Sequence, residues 1–220
     1  MSVKIEVWGD YACFSRPEMK AERVSYDVMT PSAARGILDA IYWHPGLAWR
    51  IDRIRVCAPI RFTNIRRNEV EDKISASKVR AVMNGGKGEL YLAVSRSKQQ
   101  RASMILRDVH YVIEAHFDIT DRAAPSDNSG KFADIIKRRA QKGQFYHQPY
   151  FGTREFPANF RLCESVPECP AELLGEHDLG WMLLDMDHSD SSDIRPMFFR
   201  GIVKDGILEV PPPKSEGVMR

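Results

Sequence analysis

Between residues 66 and 101 nine cations (Arg66, Arg67, Lys73, Lys78, Arg80, Lys87, Arg96, Lys98, Arg101) stand against four anions, although the chain of 220 residues carries a net charge of only +2. In their midst lies Asn84-Gly85-Gly86-Lys87-Gly88. Glycines let backbone amides approach a ligand closely, and amides flanked by cations are equipment for gripping phosphate. Arg66, Arg67, Lys78, Arg80, Lys87, Arg96 and Lys98 are therefore candidate RNA contacts of the kind that give affinity without reading sequence. Lys137, Arg138 and Arg139 form a second candidate set. Lys131 follows Asp127, Asn128 and Ser129, three side chains able to cap a helix. An ammonium at a helix start is opposed by the helix dipole, yet a phosphate there meets both the charge and free N–H groups. Each cluster also has a plainer reading, as a solvated face.

Other chemistries find less support. His110 and His116 share a strand face with Glu114, but six residues along a strand span about 20 Å, too far for one metal ion. The cysteines at 13, 57, 163 and 169 never fall into CxxC spacing, so free thiols and no metal or other cofactor are expected. The opening MSVKIEVWGD has no signal-peptide pattern and no window holds eighteen consecutive apolar residues, so the expectation is a cytoplasmic protein with no membrane partner.

The elements that must position these groups follow from hydrophobic period. Val3, Ile5 and Val7 alternate as a first strand that Gly9-Asp10 is expected to stop. Thr30-Pro31 opens a helix with Ala33, Ile37, Ala40 and Ile41 on its inner stripe, ending before His44-Pro45. Ile54, Val56, Ala58, Ile60 and Phe62 alternate as one long strand with a basic outer face, in which Pro59 signals a bulge or an edge. Residues 66–100 read as a basic hairpin with arms at 79–83 and 90–94. Val109 to Ile119 alternate again. Phe132, Ile135, Ile136 and Ala140 mark a second helix that Gly143 terminates, and 159–162 forms a short strand. This order of strand, helix, strand, strand, helix, strand makes the fold class α+β, ferredoxin-like as in RRM proteins, with two helices packed on one sheet face. Trp181–Met186, Met197–Lys204 and Ile207–Val210, the last two joined by Asp205-Gly206, predict a small C-terminal antiparallel β-sheet. The division is 1–163 for the first domain and 164–220 for the second region, with a mobile PPPKSEGVMR tail.

The stretch WGDYACFSRPEMKAERVSYDVMTPSAARGILDAIYWHP, followed in order by LRDVHYVIEAHFDI and GTREF, resembles the Dvulg (type I-C) subtype of the CRISPR-associated Cas five family. The resemblance runs over nearly the whole chain. It implies a RAMP-superfamily fold and an endoribonuclease that processes CRISPR repeat RNA into crRNA, holds the 5′ handle of its product, and assembles with the other subunits of a type I-C interference complex. Double-stranded DNA is a further candidate partner. The family's processing site is built on a Tyr at the end of the first helix, matched by Tyr42, and a Lys at the start of the second, matched by Lys131. The histidine that commonly follows the lysine is replaced by Phe132.

Metal-free RNA cleavage uses the neighbouring 2′-hydroxyl as nucleophile, so protein groups must assist its deprotonation, stabilise a phosphorane and protonate the 5′-oxygen. Lys131 suits the phosphorane. A tyrosine, with its ordinary pKa near ~10, serves as base only if a cation such as Lys131 lowers it. His44, two residues after Tyr42, and His147 are weaker candidates for a third role. The rival reading is a non-catalytic subunit that binds the crRNA handle, and the loss of the histidine at Phe132 is what favours it.

Overall fold

The structure, a computed structural model, describes residues 2–19, 21–190 and 192–220. Strands β1 (Val3–Ala12), β2 (Leu47–Val56), β4 (Lys98–Ile119) and β5 (Asn159–Leu162), with helices α1 (Pro31–Ile41) and α3 (Ser129–Lys142), make the ferredoxin-like core. Its strands lie in the order β5-β1-β4-β2, all antiparallel. Between β2 and β4 the chain adds β3 (Phe62–Val70) and helix α2 (Ala76–Met83). After β5 come β6 (Glu176–Asp187), β7 (Arg195–Lys204) and β8 (Ile207–Glu209). The expected C-terminal antiparallel sheet is present, and β8 also pairs with β2 over Arg53–Arg55, so the hydrogen-bonded sheet is continuous. Asp205 and Gly206 both have positive φ, 48° and 74°, as a type I′ turn requires.

The core lies between the sheet and the two helices. Val3, Ile5, Val7, Ile54, Tyr111, Ile113 and Ala115 face Ile37, Leu38, Ile41, Phe132, Ile136 and Ala140, all buried. Thr30 caps α1 by accepting from the Ala33 N–H at 3.3 Å. Gly143 ends α3 in the left-handed region at φ 62°, where glycine is free of a Cβ penalty.

Several expectations need correction. Gly9-Asp10 does not stop β1, because Gly9 pairs with Val109 inside the strand. A Cβ at Gly9 would lie 2.9 Å from the Phe151 ring, so this glycine marks close packing rather than a turn. The single strand predicted over 54–62 is two strands. Val56 pairs with Tyr111 and Phe62 with Leu106, so this side holds one more residue than its partner, the bulge that Pro59 announced. Phe62 and Ile119 fall outside the core and are exposed. The arms of the basic hairpin are β3 and the first half of β4, paired from Phe62↔Leu106 to Val70↔Lys98. Residues 79–83 belong to helix α2, capped by the Ser75 hydroxyl. Their Val79-Val82-Met83 spacing is a helical period. The C-terminal tail docks on β7, where Phe198 and Met219 exchange two backbone hydrogen bonds of 2.8 Å.

Candidate active site

Tyr42 and Lys131 lie 89 positions apart in the sequence, and the fold brings together the ends of the two helices that carry them. α1 stops because Tyr42 turns to an extended backbone, φ −149° and ψ 106°, ahead of the residue that Pro45 excludes from the helical region. Extended backbone sends alternate side chains to opposite sides. Tyr42 and His44 accordingly point inward with ring centroids 6.5 Å apart, while Trp43 points outward and is 60% exposed. The Tyr42 carbonyl is held by the Trp49 indole N–H at 3.1 Å.

α3 enters from the other side. Asn128, and neither Asp127 nor Ser129, is its cap: the Asn128 side chain accepts from the Lys131 N–H at 2.9 Å. Asp127 is thereby free to meet the Lys131 side chain, whose Nζ donates to Oδ1 at 2.8 Å. The second Asp127 oxygen accepts from the Ala124 N–H at 2.9 Å, and the side chain is only 2% exposed. The Lys131 bond holds the Asp127 carboxyl below its usual range, and the same bond pushes the Lys131 ammonium above its own.

Phe132 is fully buried. Its ring packs against His44 at 5.1 Å, Phe117 at 6.0 Å and Tyr42 at 6.3 Å. It is a floor to the site rather than a member of it. Arg139 is also engaged: Nη1 donates to the Ile41 carbonyl at 2.7 Å, and the guanidinium lies 5.1 Å from the Tyr42 ring centre. Burial raises the Tyr42 phenol above its ordinary range, and the nearby Arg139 and Lys131 cations do not offset it. The helix ends therefore converge as the base reading of Tyr42 required, but the phenol moves the wrong way for a base.

The remaining candidates scatter. Arg66, Lys78, Arg80, Lys87, Arg96 and Lys98 are exposed on the arm. Arg67 instead pairs with Glu155 and stacks on Phe156. Lys137 and Arg138 are exposed on α3. His110 bonds Glu6 at 2.8 Å and His116 bonds Asp52 at 2.7 Å, each with its own carboxylate. Among aromatic residues that could stack on bases, Phe14 and Tyr26 are core, whereas Tyr11, like Trp43, is exposed. Among the described residues no three metal-ligating side chains converge and no helix is long and apolar enough to cross a membrane. Sequence reasoning missed Asp127 as a site residue. It lies four positions before Lys131 but upstream of the Asn128 cap, outside the helix, so helical period gave no signal for it.

The family model described as "CRISPR-associated protein (Cas_Cas5)" matches residues 2–211. A protein of Mannheimia succiniciproducens named "CRISPR pre-crRNA endoribonuclease Cas5d" is 50% identical over 223 residues, covering 99% of this chain and 98% of that protein. One of the same name from Thermus thermophilus is 38% identical, covering 99% of this chain and 95% of that protein. A solved structure titled "Crystal Structure of CRISPR-associated Protein" shares the fold with a TM-score of 0.70 at 20% identity, over 100% of this chain and 97% of that one. A chain of a "CRISPR RNA-guided surveillance complex" shares it with a TM-score of 0.53 at 15% identity, over 96% and 91%. A family match over nearly the whole chain and whole-length identity of this order mean that the chain belongs to the Cas5 family of CRISPR-associated proteins, in its Cas5d (type I-C) branch.

Proposed function

We propose that this protein is a metal-independent endoribonuclease that cuts CRISPR repeat RNA, leaves a 2′,3′-cyclic phosphate, and stays on the 5′ handle of its product as a subunit of a type I-C interference complex. The observation that carries the reading is the meeting of the two helix ends, which sets Tyr42, packed on Phe132, beside the start of α3 where Lys131 bonds Asp127. Identity of 50% to a protein named for pre-crRNA cleavage supports it.

The reaction needs no metal because the substrate supplies its own nucleophile. The 2′-oxygen bonds to phosphorus, the bond from phosphorus to the 5′-oxygen breaks, and one proton passes from the 2′-hydroxyl to solvent while another reaches the leaving oxygen. Lys131, kept protonated by Asp127, stabilises charge on the phosphorane, a contribution of about 3–4 kcal/mol by analogy with an oxyanion-hole donor. Tyr42 retains its proton at neutral pH and is the donor to the 5′-oxygen, to be reprotonated by water. The exposed arm cations and Lys137 and Arg138 bind the RNA backbone. Double-stranded DNA is a second ligand for that cationic surface, and the protein works in the cytoplasm with the repeat transcript.

The test is incubation in EDTA with a labelled repeat hairpin and its 2′-deoxy analogue at the scissile position. Cleavage of the ribose substrate alone, with a cyclic phosphate on the product, is expected. Tight binding without cleavage makes the protein a handle-binding subunit instead. Competition by duplex DNA in the same binding assay decides the DNA ligand.

A further inference from the structure

We propose that His44 is a catalytic residue of this cleavage and acts as a neutral hydrogen-bond donor, presenting Nε2–H to a non-bridging oxygen of the scissile phosphate. The proposal rests on the endoribonuclease reading and adds a group and its protonation state. Its ground is a backbone contact. The Gly46 N–H donates to His44 Nδ1 at 3.1 Å, and a ring nitrogen that accepts a hydrogen bond carries no proton. The proton of the neutral ring is therefore on Nε2. That nitrogen lies 3.9 Å from Asp127 Oδ2, beyond hydrogen-bond range. It faces the carboxylate that holds Lys131 without being bound to it, and is available to a substrate oxygen.

Packing holds the ring, and the turn that supplies the Gly46 N–H is itself fixed. The ring packs on Phe132 at 5.1 Å. The Thr120 hydroxyl donates to the Pro45 carbonyl at 2.7 Å, and the Thr120 N–H donates to the Gly46 carbonyl at 3.0 Å. Gly46 itself must lack a side chain, since a Cβ would lie 2.7 Å from Ala123 Cα. A donor fixed before the substrate arrives has no reorganisation to undergo as charge builds on the phosphate. The charged and titratable groups around the ring are Tyr42, Asp127, Lys131 and, over the Tyr42 ring, Arg139. With Lys131 and Tyr42 both holding their protons, His44 completes a set of three donors. The 2′-hydroxyl proton then goes to solvent, and His44 keeps its own throughout the step.

The experiment compares wild type, His44→Ala and His44→Gln in EDTA across pH, on repeat RNA and on the uncleavable 2′-deoxy analogue. Glutamine offers an N–H but cannot titrate in this range. His44→Ala should slow cleavage about 100-fold, the scale of one lost donor. His44→Gln should stay within about tenfold of wild type with a pH profile parallel to it, and both should bind the deoxy analogue within about threefold of wild type. Equal loss in the two variants, or a His44→Gln profile that loses the pH dependence of wild type, makes His44 a base and overturns the proposal, as does full activity in His44→Ala. An inactive wild type overturns the endoribonuclease reading and this proposal with it, whereas an active wild type with the first pattern of failure sinks this one alone. Nitrogen-15 NMR of histidine-labelled protein, assigned with His44→Gln, reads the tautomer directly, and an Nδ1–H form at neutral pH overturns the proposal whatever the activity.

Discussion

At the junction of α1 and α3 the polar groups are held by other parts of the chain: Lys131 by Asp127, Arg139 by the Ile41 carbonyl, His44 by the Gly46 N–H. On the arm built from β3, α2 and the start of β4 the reverse holds. No residue of β3 or α2 is buried, and Lys78, Arg80, Lys87 and Arg96 project into solvent. The contrast teaches what each region is able to do. Charge fixed by a hydrogen-bonded partner stabilises a transition state at one position, whereas charge on mobile stems screens phosphates wherever they pass. Each region should therefore fail in a different measurable quantity.

The largest effect is expected where a fixed charge is removed. Lys131→Ala should reduce the cleavage rate at saturating RNA by about 100- to 1,000-fold, with affinity for the 2′-deoxy analogue nearly unchanged, as measured by single-turnover kinetics and filter binding. Neutralising Lys78, Arg80, Lys87 and Arg96 together should do the opposite. The slope of log affinity against log salt should fall by about 3, and the rate at saturation should stay near wild type. A change of rate in this variant would break the division between the two regions.

Phe132→His tests the floor of the site. The position is fully buried against His44, Phe117 and Tyr42, so an imidazole there lacks a partner and should cost about 1–3 kcal/mol in urea unfolding. Adjacent residues of α3 sharpen the comparison further. Arg139→Ala removes the tie to Ile41 and the contact over Tyr42, and should slow cleavage about tenfold with little change in affinity. Arg138→Ala, one position away and exposed, should lower the salt slope by about 1 and leave the rate alone.

The smallest effect belongs to the sheet face away from the helices. Glu6 is held below the usual carboxylate range, first by its bond to Arg161 and then by His110, against an opposing push from burial. A carboxylate whose folded pKa is depressed contributes stability that is present above its unfolded pKa and lost as pH falls through the folded one. Glu6→Gln should lower stability at pH 7 and flatten the loss of stability below about pH 4, read by acid unfolding followed in circular dichroism.

The long elements were legible because their signals are local. Period-two alternation marks β1 and β4, Thr30-Pro31 and Gly143 bound α1 and α3, and Asp205-Gly206 turns β7 into β8. The arm was legible in charge but misjudged in form. Its apolar residues are too few to fix a face, and Val79, Val82 and Met83 serve a helix whose sides all meet solvent. The tail was judged by composition, and composition is silent about the stretch of β7 left free beyond the short β8, where the tail pairs.

The site divides in the same way. Residue identity at Tyr42 and Lys131, through resemblance, nominated two groups, and the helix stop at His44-Pro45 fixed where the first would sit. Asp127 became the partner of Lys131 once Asn128 took the cap, a choice among close neighbours that residue type left open. Two things depended on contacts between distant segments and were decided by the tertiary structure alone. Arg139 left the phosphate-binding face because the end of α1 offered it a carbonyl. Tyr42 moved away from base chemistry because burial under the packed helix ends outweighs the cations beside it. Sequence records which side chains exist and in what local period, while solvation and direction, which set protonation and donor geometry, arise only when segments far apart in the chain close on one another.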